Sequence, residues 1–137
     1  GHLEESIPLR EGTIEILERL RPQFRLAVGT SAHRLFVPRM LEGLDIRKYF
    51  EVVIMADDVP RGKPEPDVYL AVAERMKVAP EECVVIEDAA NGIAAAKNAR
   101  MRCIAIRDEA HGERDLSHAD SIIDHFNQLT PELLEKI

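Results

Sequence analysis

The chain contains no tryptophan, only two cysteines and 4% aromatic residues. It also lacks any basic excess. Eighteen Lys and Arg stand against twenty-five Asp and Glu, a formal net charge of −7 with a pI near 5.2. That balance, with no Lys/Arg cluster, argues against nucleic acid as a partner, because neutralising phosphates requires the opposite sign. No apolar run approaches the roughly 18 to 20 residues that a membrane-spanning helix needs, so no membrane partner is expected. Cys83 and Cys103 each sit inside an apolar run, CVVI and RCIAI. They read as small buried hydrophobes in a reducing compartment, not as a disulfide framework or a metal cage. No secretory signal is visible, Gly1-His2 reads as a scar of tag removal, and a cytoplasmic location is expected.

What is present is globular. With 137 residues and 45% apolar content, the chain suits one domain over 3–137. A chain of this size buries roughly two-thirds of its unfolded surface. Helical and strand signals alternate without repeats. Gly12-Thr13 opens a helix with Ile14, Leu17, Leu20 and Ile16 toward one side, ended by Pro22. Phe24–Gly29 is a short apolar run suited to a strand covered on both faces. A helix with Leu35, Phe36, Met40 and Leu41 follows, stopped by Gly43, and then a strand over Phe50–Met55. Beyond the loop ADDVPRGKPEP come a helix near Asp67–Met76, a strand Cys83–Ile86, a helix Ala90–Ala99 and a strand Arg102–Ile106. A short strand at Ile122-Ile123 and a C-terminal helix with Leu129, Leu133 and Leu134 complete the chain. Such alternation means right-handed βαβ crossovers and a parallel sheet, which takes its ligands at the carboxyl ends of its strands.

Those ends carry chemistry. Thr30-Ser31 follows the first strand and offers two hydroxyls and N–H groups at a helix start, a suitable cradle for an anion or an ordinary N-cap. Lys63 follows the second, held in Arg61-Gly62-Lys63-Pro64-Glu65-Pro66, where two prolines restrict the backbone around an ammonium point charge. Glu87-Asp88 follows the third, two adjacent carboxylates that suit Mg2+ or cap the next helix. Asn91-Gly92 lets the backbone pass close by without a Cβ at Gly92. A hydroxyl, a fixed cation and a metal site on one sheet edge are the parts that phosphoryl transfer requires.

The order of these parts resembles the haloacid dehalogenase (HAD) superfamily. Within it, the chain is similar to the β-phosphoglucomutase-like and phosphoglycolate-phosphatase-like branch. The resemblance runs through IPLREGTIEILERL, LAVGTSAHR, GLDIRKYFEVVIMADDV, RGKPEPDVYL and CVVIEDAANGIAAAKNA. It implies a Rossmann-like three-layer α/β fold and a phosphatase acting on a small phosphorylated metabolite, with a sugar-phosphate mutase or a non-catalytic module as alternatives. It implies that Thr30 and Lys63 are catalytic, that Ser31, His33 and Asn91 meet the substrate, and that Glu87 and Asp88 bind Mg2+. A receiver domain uses similar groups in another order, which disfavours it.

Two departures carry weight. The family's first motif is an Asp-x-Asp closing an N-terminal strand, and this chain has no Asp-x-Asp; Asp57-Asp58 follows the wrong strand. Relative to the resemblance, the chain lacks the nucleophile strand and the helical cap. It is therefore expected to be inactive alone and to bind Mg2+ weakly, on the order of millimolar or worse, as sites of low ligand charge do. The missing strand would separate Phe24–Gly29 from Cys83–Ile86 and leave both with unpaired edges. Leu3–Leu9 is the one candidate filler within the chain, but Glu4-Glu5-Ser6 suits a buried centre poorly. Sharing of edges between copies, giving a homo-oligomer, is therefore expected. Arg100 also stands where the family usually has a helix-ending glycine, and His111 and His118 read as surface residues.

Overall fold

The computed structural model of the chain describes residues 3–5, 13–30, 47–107 and 116–136. The strands are β1 (Leu3–Glu5), β2 (Arg25–Gly29), β3 (Val52–Ile54), β4 (Cys83–Glu87), β5 (Arg102–Ile106) and β6 (Ser121–Ile123). The described helices are α1 (Thr13–Leu20), α2 (Asp67–Met76), α3 (Ala90–Asn98) and α4 (Pro131–Lys136). The helix expected around Leu35–Leu41 lies outside the described residues, as does His111. The six strands among the described residues run parallel in the order β3-β2-β1-β4-β5-β6. The order reverses between β1 and β4, and in a doubly wound sheet that reversal opens a crevice beyond the strands' carboxyl ends.

One expectation is corrected at the centre. The position between β2 and β4 is filled by β1, the segment whose glutamates argued against it. Leu3 and Glu4 pair with Arg25 and Leu26 on one side. Leu3, Glu4 and Glu5 pair with Cys83, Val84 and Val85 on the other. A parallel ladder is made by backbone N–H and C=O groups, and in a sheet covered on both faces those groups need partners more than they need particular side chains. The edges on which strand sharing between copies rested are thus paired within the chain up to these residues.

Side-chain alternation splits the core in two. Val84 and Ile86 of β4 join Leu26, Ile104 and Ile106 beneath Ile16, Leu17 and Leu20 of α1. Cys83 and Val85 point the opposite way, into Val68, Val72 and Met76 of α2 and Ile93, Ala95 and Ala96 of α3. Burying each of these larger side chains contributes about 1.5–3 kcal/mol. The sheet thus lies between two helical layers. In α1, Ile14 is exposed, contrary to expectation, because Ile16, Leu17 and Leu20 form the stripe and Ile14 lies well round the helix from it. Leu129 is buried just ahead of α4 instead of within it; Pro131 opens that helix, and the Thr130 hydroxyl accepts the Leu133 N–H at 3.2 Å.

Two helices end on left-handed residues that are not glycine. Arg100 has φ 66°, its N–H donates to the Lys97 carbonyl, and the Met101 N–H donates to that of Ala96. Lys77 has φ 59°, with Lys77 and Val78 bonded likewise to Glu74 and Ala73. Both are Schellman ends, so the glycine-type cap expected at Arg100 is built on an arginine in the same geometry.

Candidate functional site

Strand periodicity assigns Glu87 its surroundings. As the last residue of β4 it faces the same way as Cys83 and Val85, toward α2 and α3. The residue as a whole is 5% exposed. Oε2 accepts from Lys63 Nζ at 2.9 Å and from Tyr69 Oη at 2.9 Å. Oε1 accepts the Asp88 backbone N–H at 3.0 Å. Burial by itself would push this carboxyl up. The charge of Lys63, with the hydrogen bonds from Lys63, Asp88 and Tyr69, outweighs it and holds the pKa below the usual carboxylate range. The same negative charge adds to burial in pushing the Cys103 thiol up to about 12, so Cys103 is a packed, unreactive thiol, as the sequence suggested.

Lys63 reaches this carboxylate from a loop tied down on both flanks. Arg61 Nε and Nη2 fork onto Asp67 at 3.2 and 2.8 Å, and Arg61 Nη1 meets Glu65 at 3.2 Å. The Glu65 N–H donates to the Gly62 carbonyl at 3.0 Å. From α3, Asn98 Nδ2 donates to the Pro64 carbonyl at 3.1 Å. The Lys63 ammonium also lies 4.9 Å from the Tyr69 ring centroid, within cation–π range.

Two glycines make room for the cluster. A Cβ on Gly92, in the first turn of α3, would overlap the Glu87 carboxylate. A Cβ on Gly29 would lie 3.1 Å from Tyr69 Cδ1 and Cε1. Beyond Gly29, Thr30 is half-buried and its N–H donates to the Ile54 carbonyl at 3.0 Å, continuing the β2–β3 ladder. Asp88 is half-buried at the head of α3, and Asn91 is exposed in its first turn. Thr30, Lys63, Glu87 and Asp88 thus share the carboxyl edge of the sheet, with Lys63 and Glu87 in direct contact. Ser31 and His33 lie outside the described residues.

Hard carboxylate oxygens fit Mg2+ in kind. Among the described residues no three His, Cys, Asp or Glu side chains group as a metal site. Glu87 already serves three donors, Asp88 adds a half-buried carboxylate beside it, and the set present is a partial one.

Sequence reading missed Tyr69, Gly29 and Asn98. The signal for Tyr69 was available: a phenol on the apolar stripe of α2 needs a buried partner, and the preceding loop holds the ammonium that shares it.

Among the described residues no helix is long and apolar enough to cross a membrane. Residues 2–100 match the haloacid dehalogenase-like hydrolase family. The chain is 43% identical over 101 residues to a phosphorylated carbohydrates phosphatase of Thermotoga maritima, covering 73% of this chain and 47% of that protein. It is 44% identical over 110 residues to the phosphoglycolate phosphatase of Escherichia coli, covering 79% and 44%. It thus spans less than half the length of these two relatives. Among solved structures, CbbY from Rhodobacter sphaeroides in complex with phosphate superposes with TM-score 0.84 and 31% identity, over 93% of this chain and 59% of that one. A HAD phosphatase from Thermococcus onnurineus gives 0.82 and 32%, over 91% and 58%. With the family's residues matched over most of its length, and the sheet order and strand-end cluster those residues build, the chain belongs to the haloacid dehalogenase-like hydrolases.

Proposed function

We propose that these residues form the phosphate-binding half of a cytoplasmic phosphatase for small phosphorylated metabolites, a half-site that does not turn over alone. The observation that carries this reading is the Lys63–Glu87 pair at 2.9 Å, 12% and 7% exposed, at the sheet's carboxyl edge. Glu87 neutralises only part of the field of an ammonium fixed in a low-dielectric setting, and a phosphoryl dianion arriving there meets a preorganised cation. The Thr30 hydroxyl offers a donor to an equatorial oxygen, Asn91 and the N-terminus of α3 offer further donors, and Ser31 and His33 follow Thr30 in the chain. Asp88, with Glu87 behind it, would hold Mg2+, which when bound neutralises charge developing on the phosphoryl oxygens.

With no Asp-x-Asp in the chain, these groups stabilise a transition state for which the chain offers no identified nucleophile. Similarity to a phosphorylated carbohydrates phosphatase and a phosphoglycolate phosphatase favours phosphate esters of small metabolites over a mutase reaction. The test is binding of inorganic phosphate to the chain by 31P NMR, with and without Mg2+. Saturable binding that weakens at least about tenfold in Lys63→Met supports the reading, a charged hydrogen bond being worth that much. Equal binding by wild type and Lys63→Met overturns it, as does phosphomonoester turnover abolished by Asp88→Asn.

A further inference from the structure

Tyr69 is fully buried on α2, yet its side chain touches three parts of the sheet edge at once. Its hydroxyl donates to Glu87 Oε2, the same oxygen that accepts Lys63 Nζ. Its ring lies 4.9 Å below the Lys63 ammonium and packs against Gly29, the residue before Thr30. From these contacts we infer that Tyr69 is a positioning residue for Lys63: its hydroxyl orients the Glu87 carboxylate and its ring carries the ammonium, so the cation is held in one place. The inference rests on the phosphate-site reading for its purpose, and on the contacts alone for its geometry.

The physical need is plain. A lysine stem has four rotatable bonds, and one ion pair leaves the ammonium free to swing about the carboxylate. A rotating carboxylate would make that worse. Here the Asp88 N–H holds Oε1 and the Tyr69 hydroxyl holds Oε2, so the acceptor is oriented from both sides. The ring, 4.9 Å from the ammonium, supplies a second attraction distinct from that of the carboxylate. Gly29 is what allows the ring so close, since any Cβ there would crowd Cδ1 and Cε1 at 3.1 Å. A residue acting only as core filler would need neither the hydroxyl nor the alignment with Lys63.

The experiment uses the 137-residue chain, 13C relaxation of the Lys63 Cε methylene and phosphate titration by 31P NMR. In wild type, Lys63 Cε is expected to be markedly more ordered than the same carbon of the exposed Lys77. Equal mobility of the two would overturn the inference before any variant is made. Tyr69→Phe keeps the ring and loses the hydroxyl. It should raise Lys63 Cε mobility and weaken phosphate binding by about three- to tenfold, the effect of one removed hydrogen bond. Val72→Ala, a core truncation on the same helix, should lower the melting temperature and leave both readouts unchanged. Tyr69→Phe mobility equal to wild type overturns the inference, and so does a Val72→Ala effect of the same size. If mobility rises as expected while wild type binds no phosphate, the positioning role stands and the phosphate reading falls.

Discussion

Replacing Gly92 with alanine sets two effects of opposite sign against each other. Helix propensity favours alanine over glycine by about 0.5–1 kcal/mol, and Gly92 is helical. On local grounds Gly92→Ala should stabilise α3. The packing says otherwise, because the added methyl would overlap the Glu87 carboxylate. Neither partner can retreat cheaply. The carboxylate is buried and anchored by Lys63, Tyr69 and Asp88, and α3 packs Ile93, Ala95 and Ala96 into the core. Overpacking costs about 1–3 kcal/mol. Turning the carboxylate away instead leaves a buried charge poorly paired, which costs about 3–5 kcal/mol when a partner is lost outright. A net destabilisation of about 2–4 kcal/mol is therefore expected, well above the propensity gain. Chemical denaturation of wild type, Gly92→Ala, Glu87→Ala and the double variant measures it. In the Glu87→Ala background the clash is gone, and the alanine should be neutral or mildly stabilising. A Gly92→Ala chain within 0.5 kcal/mol of wild type, or more stable, would refute the geometry of the Glu87 pocket.

Arg100→Gly relieves a left-handed backbone at an exposed Schellman end and should stabilise by up to about 1 kcal/mol in thermal or denaturant melts; a loss would mean the arginine side chain matters more than its φ. Asp120 accepts Lys97 Nζ at 2.8 Å and the Cys103 N–H at 2.7 Å, and although burial alone would raise its pKa, those bonds hold it below the ordinary value. A depressed carboxylate stabilises above its unfolded pKa of about 3.9 and loses that contribution as pH falls through the folded value. The stability gap between wild type and Asp120→Asn, measured by denaturation, should therefore be full near pH 6 and shrink below about pH 4. Removing residues 1–5 deletes β1 and exposes the edges of Arg25–Leu26 and Cys83–Val85, so light scattering should show a monomer before deletion and association after it. Association of the intact chain would mean that β1 does not hold its place.

Much of the architecture follows from local pattern. The apolar runs RLAVG, CVVI and RCIAI, separated by helices of about ten residues, dictate buried parallel strands, and their limits match the structure to within a residue or two. Placement of Lys63 and Glu87-Asp88 at strand ends follows from the same pattern, since what comes after a buried strand must emerge at the sheet's carboxyl edge. Tyr69 shows the limit of that logic. Its spacing on α2 marks it only as a core residue, because periodicity reports which way a side chain points and not what it meets.

Composition and period were enough for the α/β class and the chemical types gathered at one edge, because these depend on neighbours close in the chain. Three things needed the folded molecule. β1 fills the centre because ladder pairing is a backbone demand that its glutamate side chains do not veto. Glu87, expected at the sheet edge from the pattern alone, is also the acceptor shared by Lys63 and Tyr69, since residues 24 and 18 positions apart meet there. Gly29 and Gly92 acquire their purpose only when α2 and α3 dock, because a missing Cβ has meaning only against the group that occupies its space.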